Sequence, residues 1–141
     1  MKKVLFVCLG NICRSPTAHG VFEALLSQHG LSQIVQVDSA GTAAYHVGNP
    51  PDRRSAGIAR QHGFPLDHLR ARQVSPRDFQ EFDYILAMDN QNLLALKQLC
   101  PADFSGHLGL FLDFYQDSIS EVPDPYYGGA DGFEQVLNLV I

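Results

Sequence analysis

Cys8 and Arg14 are the first residues in the chain whose types and spacing could do chemistry together. Five residues lie between them, so a loop that curls back on itself can hold the sulfur beneath a bound anion and the guanidinium beside it. Arginine suits that place because its planar fork of donors grips two oxygens of one phosphate at once. The same positive surroundings stabilise a thiolate over a thiol. A thiolate held under phosphorus is a nucleophile.

Such a pair needs elements that position it, and the flanking sequence supplies them. The apolar run Val4-Leu5-Phe6-Val7 stops at Cys8, Gly10 and Asn11 break the pattern, and Arg14-Ser15-Pro16 opens a helix. Strand, tight loop and helix N-terminus together gather backbone N–H groups at the positive end of a helix dipole, the arrangement that binds oxyanions. Asn11 sits at the sharpest bend and tolerates positive φ better than other non-glycine residues, so it reads as scaffold. Ser15 followed by Pro16 reads as an N-cap and a first-turn proline.

Further along, Ala18, Val21, Phe22, Leu25 and Leu26 recur at helical spacing before Gly30, which predicts an amphipathic helix over 15–29. Ile34, Val35 and Val37 form a second strand, ending in a loop at Asp38-Ser39-Ala40-Gly41. Ser39 is there either a turn residue or a hydrogen-bond partner of Asn11. A helix is expected over Ala56–His62, a strand over Tyr84–Met88, a helix through Leu93–Leu99 up to Pro101, a weaker strand over His107–Phe111 and a last helix from Phe133 to Ile141. Alternating strands and helices imply an α/β protein, a single-domain three-layer sandwich with a four-stranded parallel sheet flanked by helices on both faces.

Composition narrows the class. The chain of 141 residues is 45% hydrophobic and 18% charged, enough apolar material for one core over 1–141. Its net charge of −5 argues against nucleic acid or an anionic membrane as the main partner, so an anion must be held by local design. No basic leader precedes the first strand and no run reaches the roughly 18 apolar residues of a membrane helix, which sets the expectation of a cytoplasmic protein. Cys8, Cys13 and Cys100 form no C-x-x-C pair and close no zinc site, and the six histidines show no metal spacing. No metal and no cofactor are expected.

The segment Cys8-Leu9-Gly10-Asn11-Ile12-Cys13-Arg14-Ser15 resembles the C-x5-R-S signature loop of the low-molecular-weight protein tyrosine phosphatases, which likewise lies close to the N-terminus. Asp38-Ser39-Ala40-Gly41, Gly48-Asn49-Pro50-Pro51-Asp52, Phe82 to Asp89 and Asp124-Pro125-Tyr126-Tyr127-Gly128 resemble further family segments in the family's order. The likeness covers nearly the whole chain. It implies metal-independent hydrolysis of phosphotyrosine through a cysteinyl phosphate, with Cys8 as nucleophile, Arg14 and the loop from Leu9 through Gly10, Asn11, Ile12 and Cys13 holding the phosphate, and Asp124 as general acid and then base. The resemblance also implies that the Ser15 hydroxyl supports the Cys8 thiolate, an alternative to the N-cap for the same oxygen. An isolated Asp-Pro would read as a turn. Leu9, Tyr45, Asp52, Asp89, Tyr126 and Tyr127 match positions lining the family's substrate mouth, with Tyr45 and Tyr126 either aromatic walls for the phosphorylated ring or ordinary loop tyrosines. In the family the last helix runs past the position of Ile141, so the chain reads as truncated there.

Cys13 is either a small buried apolar residue or a partner able to trap an oxidised Cys8 as a disulfide, while Cys100 reads as inert. Expected partners are a phosphotyrosine-containing protein as substrate and phosphate or other oxyanions as inhibitors, with no nucleic acid, no membrane, and weak self-association left open. Three alternatives share the loop. An arsenate reductase would need a cysteine pair after the third strand, where this chain has Cys100 alone. A protein-arginine phosphatase characteristically has threonine where this chain has Ile12, expected at the pocket floor. A non-catalytic phosphotyrosine-binding relative would have no use for an intact Cys8, Arg14 and Asp124.

Overall fold

The structure, a computed structural model, describes residues 2–114. Asp124, Tyr126, Tyr127 and the helix expected from Phe133 lie outside the described residues. The elements run β1 (Lys2–Cys8), α1 (Arg14–Gln28), β2 (Val35–Gly41), α2 (Arg53–Gln61), α3 (Asp78–Glu81), β3 (Tyr84–Ala87), α4 (Asn90–Leu99) and β4 (His107–Leu110), followed by a 3-10 turn at Phe111–Phe114.

The four strands form one parallel sheet in the order β2-β1-β3-β4, with Val4 opposite Val37 on one side and Tyr84 on the other. A central parallel strand is covered on both faces, which is why β1 is a continuous apolar run rather than an alternating one. Its alternate side chains serve two cores. Val4 and Phe6 join Leu86 of β3 and pack on Ala18 and Val21 of α1, with Phe22 and Phe111 set edge-on to Phe6 at 5.6 and 5.2 Å between ring centroids. Leu5 and Val7 join Ile85 and Ala87 and pack on Phe79 of α3 and Leu96 of α4. The handedness rule explains this division. The step from β1 to β2 and the step from β3 to β4 run in opposite directions along the sheet, so right-handed crossovers put α1 on one face and α4 on the other. The result is the expected three-layer sandwich. The order reverses between β1 and β3, and the crevice beyond their carboxyl ends is where such sheets place ligands.

The structure moves several boundaries. β2 continues through Gly41, because its ladder with β1 runs on to the Cys8–Gly41 pair, so the expected Asp38–Gly41 loop is strand. α2 starts at Arg53, three residues before Ala56, because the Asp52 carboxylate accepts from the Arg54 N–H at 2.9 Å and caps it. α4 likewise starts at Asn90 with Asp89 as its cap, accepting from the Asn92 N–H at 2.8 Å. The single turn α3 is too short for periodicity to show. α1 is not amphipathic throughout: from Arg14 to Val21 every residue is buried, and the loop carrying Leu66 comes close at Gly20. Gly20 makes that close approach possible, since a β-carbon there would lie 2.1 Å from the Leu66 side chain.

Candidate active site

The loop from Cys8 to Arg14 lies at the reversal point between β1 and β3. Asn11 adopts φ 58°, the left-handed conformation its sequence position called for, and it is the only described non-glycine residue to do so. Its side chain braces the loop from within. Nδ2 donates to the Ser15 hydroxyl at 2.7 Å, and Oδ1 accepts from the backbone N–H of Arg72 at 3.0 Å.

The Cys8 sulfur sits at the centre of this frame, 2% exposed, 3.0 Å from Ser15 Oγ and accepting from the Asn11 N–H at 3.3 Å. A thiolate can only accept, so in that form the Ser15 hydroxyl donates to it while receiving from Asn11. This arrangement decides between the two readings of Ser15. Cys13, not Ser15, is the N-cap of α1, and it makes no side-chain capping bond. Ser15 is a helical residue turned inward to the sulfur, also 3.4 Å from the Ala40 carbonyl.

Arg14 opens α1 and is 2% exposed, a charge that must be paired to be buried. Its Nη1 donates to Asp89 Oδ2 at 2.5 Å, while the other Asp89 oxygen caps α4. Asp89 therefore links the guanidinium to the end of β3 and the start of α4. Asp52 is similarly engaged. Burial pushes its carboxyl up, but the side-chain and backbone hydrogen bonds of Arg54 outweigh this and hold it below the ordinary value of 3.8.

Neighbouring segments fasten the loop from outside. The Thr42 and Ala43 N–H groups donate to the carbonyls of Cys8 and Leu9 at 2.9 and 3.0 Å, and the Asp52 N–H donates to the Ile12 carbonyl at 2.7 Å. Gly41 has no room for a side chain, since a β-carbon would stand 2.7 Å from the Leu9 oxygen and 3.1 Å from the Gly10 carbonyl carbon. Gly10 lies under the His46 ring. Leu9, 40% exposed, and Tyr45, 75% exposed and edge-on to His46, stand on the outer rim. Ile12 and Cys13 are buried and pack with Ala71 and Ile58. Cys8 and Cys13 are both free thiols.

Ser39 differs from its expected role. Its hydroxyl pairs with His19 Nδ1 at 2.9 Å, tying β2 to α1, and the Asn11 side chain is turned to Ser15 and Arg72 instead. Sequence reasoning missed His19 and Arg72 altogether. Arg72 reaches Asn11 across 61 positions, and its guanidinium lies between the carboxylates of Asp38 and Asp78, with both contacts at 3.0 Å. No local pattern carries a signal for so distant a brace. Among the described residues, no group of three or more His, Cys, Asp or Glu could hold a metal ion, and no helix is long and apolar enough to cross a membrane.

Fold and site define a doubly wound α/β protein whose first loop curls around a buried cysteine sulfur. The family model described as low molecular weight phosphotyrosine protein phosphatase matches residues 3–140. A Bacillus subtilis low molecular weight protein-tyrosine-phosphatase, YfkJ, is 45% identical over 141 residues, covering 99% of this chain and 89% of its own. The crystal structure of an Entamoeba histolytica protein tyrosine phosphatase with Hepes in the active site superposes with a TM-score of 0.94 at 42% identity, over 99% of this chain and 90% of that one. That of a Drosophila arginine phosphatase gives 0.92 at 35% identity, over 99% and 90%. The chain belongs to the low molecular weight phosphotyrosine protein phosphatase family.

Proposed function

We propose that this family member hydrolyses phosphotyrosine in proteins in two chemical steps. Cys8 attacks phosphorus while Asp124 protonates the departing phenol oxygen, giving a cysteinyl phosphate. Asp124, now a base, takes a proton from the water that hydrolyses it. The loop N–H groups and Arg14 hold the equatorial oxygens and stabilise the charge that develops on them in the transition state. The observation that carries this reading is the Cys8 sulfur, buried between the Ser15 hydroxyl at 3.0 Å and the Asn11 N–H at 3.3 Å, beside an arginine fixed by Asp89.

The whole chain, 1–141, acts in this reading as one phosphatase domain, with phosphate and related oxyanions as competitive inhibitors. A thiol nucleophile must stay reduced to work, which favours the cytoplasm. The likeness to an arginine phosphatase supports a second reading in which phosphoarginine is the substrate. Ile12 offers no hydroxyl to a guanidino group, so phosphotyrosine is preferred.

The test is turnover of an aryl phosphate and of phosphoarginine by the wild-type chain and by Cys8→Ser. Aryl phosphate hydrolysis should vanish in Cys8→Ser while phosphate binding persists, because the loop donors and Arg14 remain; Arg14→Ala should weaken both. Full activity in Cys8→Ser would exclude the thiolate mechanism, and faster turnover of phosphoarginine would favour the second reading.

A further inference from the structure

The charges of this acidic chain are segregated along its length. Six of its ten Lys and Arg residues are arginines between positions 53 and 77, where Asp67 is the lone acid, whereas residues 78–141 hold eleven acids and a single lysine. The arginine segment is attached directly to the anion loop: the Asp52 N–H donates to the Ile12 carbonyl at 2.7 Å and the Arg72 N–H to Asn11 Oδ1 at 3.0 Å. α2 therefore begins beside the site and leads away from it.

The arginines of this segment are not equivalent. Arg72 is locked between Asp38 and Asp78, Arg54 is folded back on Asp52, and Arg70 donates to the carbonyls of Asp67 and Leu69. Arg77 lies 3.7 Å from Glu81. Arg53, one residue beyond the contact with the loop, is exposed, and its side chain makes no hydrogen bond or ion pair among the described residues. Arg60 follows seven residues later, two helical turns or about 10 Å along the same face. Its partner Asp67 is as exposed as it is, at 62% each, so that ion pair is exchangeable.

We propose that Arg53 and Arg60 form a substrate-docking track that selects phosphotyrosine sites flanked by acidic residues. The proposal rests on the phosphatase reading and adds the class of peptide which that site accepts. An extended peptide rises about 3.3 Å per residue, so carboxylates about three positions apart along it match the spacing of the two arginines. With a net charge of −5 the molecule as a whole repels an acidic substrate, and this track is the local field that overcomes the repulsion and orients the peptide.

The experiment compares kcat/KM for phosphotyrosyl peptides with acidic, neutral and basic flanks, placed on either side of the phosphotyrosine, with a small aryl phosphate as reference. The wild-type chain and Arg53→Glu are assayed at low salt and at 0.5 M salt. The expected result is a preference for acidic flanks that falls by about tenfold in Arg53→Glu, mostly through KM, and shrinks in high salt as screening shortens the field to about 4 Å. Aryl phosphate turnover should stay within about twofold, because so small a substrate does not reach α2. Arg60→Glu should give the smaller loss of the two. Equal kcat/KM across the flanks, or an Arg53→Glu loss equal for all substrates, would overturn the proposal. Flank-independent kinetics combined with binding to anionic vesicles would overturn it too and reassign the face to a membrane surface. Failure of wild type to hydrolyse any aryl phosphate would overturn the phosphatase reading first, a distinct outcome.

Discussion

Asp124 is the residue whose role most sharply separates catalysis from loop structure, and it lies outside the described residues. If it protonates the leaving oxygen, its removal hurts most where that oxygen leaves poorly and least where it departs readily as an anion. In Asp124→Ala, single-turnover phosphorylation of Cys8 should become leaving-group dependent. Phosphotyrosine should lose about 10²- to 10⁴-fold and a nitrophenyl phosphate less, a range typical of general acid–base catalysis. The larger loss corresponds to roughly 2.7 to 5.5 kcal/mol of transition-state stabilisation. Equal losses across a series of aryl phosphates spanning leaving-group pKa would give Asp124 a structural role. Cys8, Arg14 and Asn11 were legible as types at a spacing, because their functions are local to one loop. Ser15 was legible with two candidate roles for one hydroxyl, helix cap or thiolate donor, and the structure sets it against the sulfur.

The elements were legible where a pattern of five residues or more repeats. β1, α1 and α4 were found within a few residues, and the ends of α2, α4 and β2 moved where a side chain caps or a ladder continues, at Asp52, Asp89 and Gly41. Two glycines show how differently one residue type acts in different elements. Gly57 lies within α2 with open space where a β-carbon would go, so Gly57→Ala should stabilise the protein by about 0.5–1 kcal/mol through the lower helix propensity of glycine. Thermal melting should rise by about 1–4 °C. Gly41→Ala drives a β-carbon into the backbone of the anion loop and should lower stability by about 1–3 kcal/mol. It should also depress kcat/KM for an aryl phosphate by more than Gly57→Ala does. Unchanged kinetics in Gly41→Ala would show that the loop does not depend on this close approach.

For the whole molecule, His19 links the fold to pH. Burial pushes its imidazole below the ordinary 6.5 against the upward pull of Asp38 and Glu23, and His68 and Arg72 add to the downward shift. The native state thus favours the neutral ring, which pairs with Ser39. In the unfolded chain the ring takes up its proton near 6.5, so on acidification the unfolded state binds protons first. Stability from this residue is fully present above pH 6.5, declines as pH falls below it, and levels off once the folded-state value is passed. Urea unfolding between pH 7.5 and 5 should show this decline, and His19→Gln should flatten it. An unchanged slope in the variant would mean that other groups set the acid limb.

By itself the sequence determined that this is an α/β chain of alternating strands and helices, that an oxyanion loop follows the first strand, and that Cys8 and Arg14 belong to it. These features follow from periodicity and from contacts within one short stretch of chain. Only the tertiary structure decided what braces the loop: Arg72 on Asn11, Asp89 on Arg14, Ser15 rather than a capping bond on the sulfur, and His19 rather than Asn11 on Ser39. Those partners lie up to 75 positions apart and meet because parallel strands and right-handed crossovers bring the carboxyl ends of β1, β2 and β3 to one edge of the sheet. Long-range pairing of this kind leaves no periodic trace in the chain, since a single hydrogen bond constrains one side chain rather than a pattern.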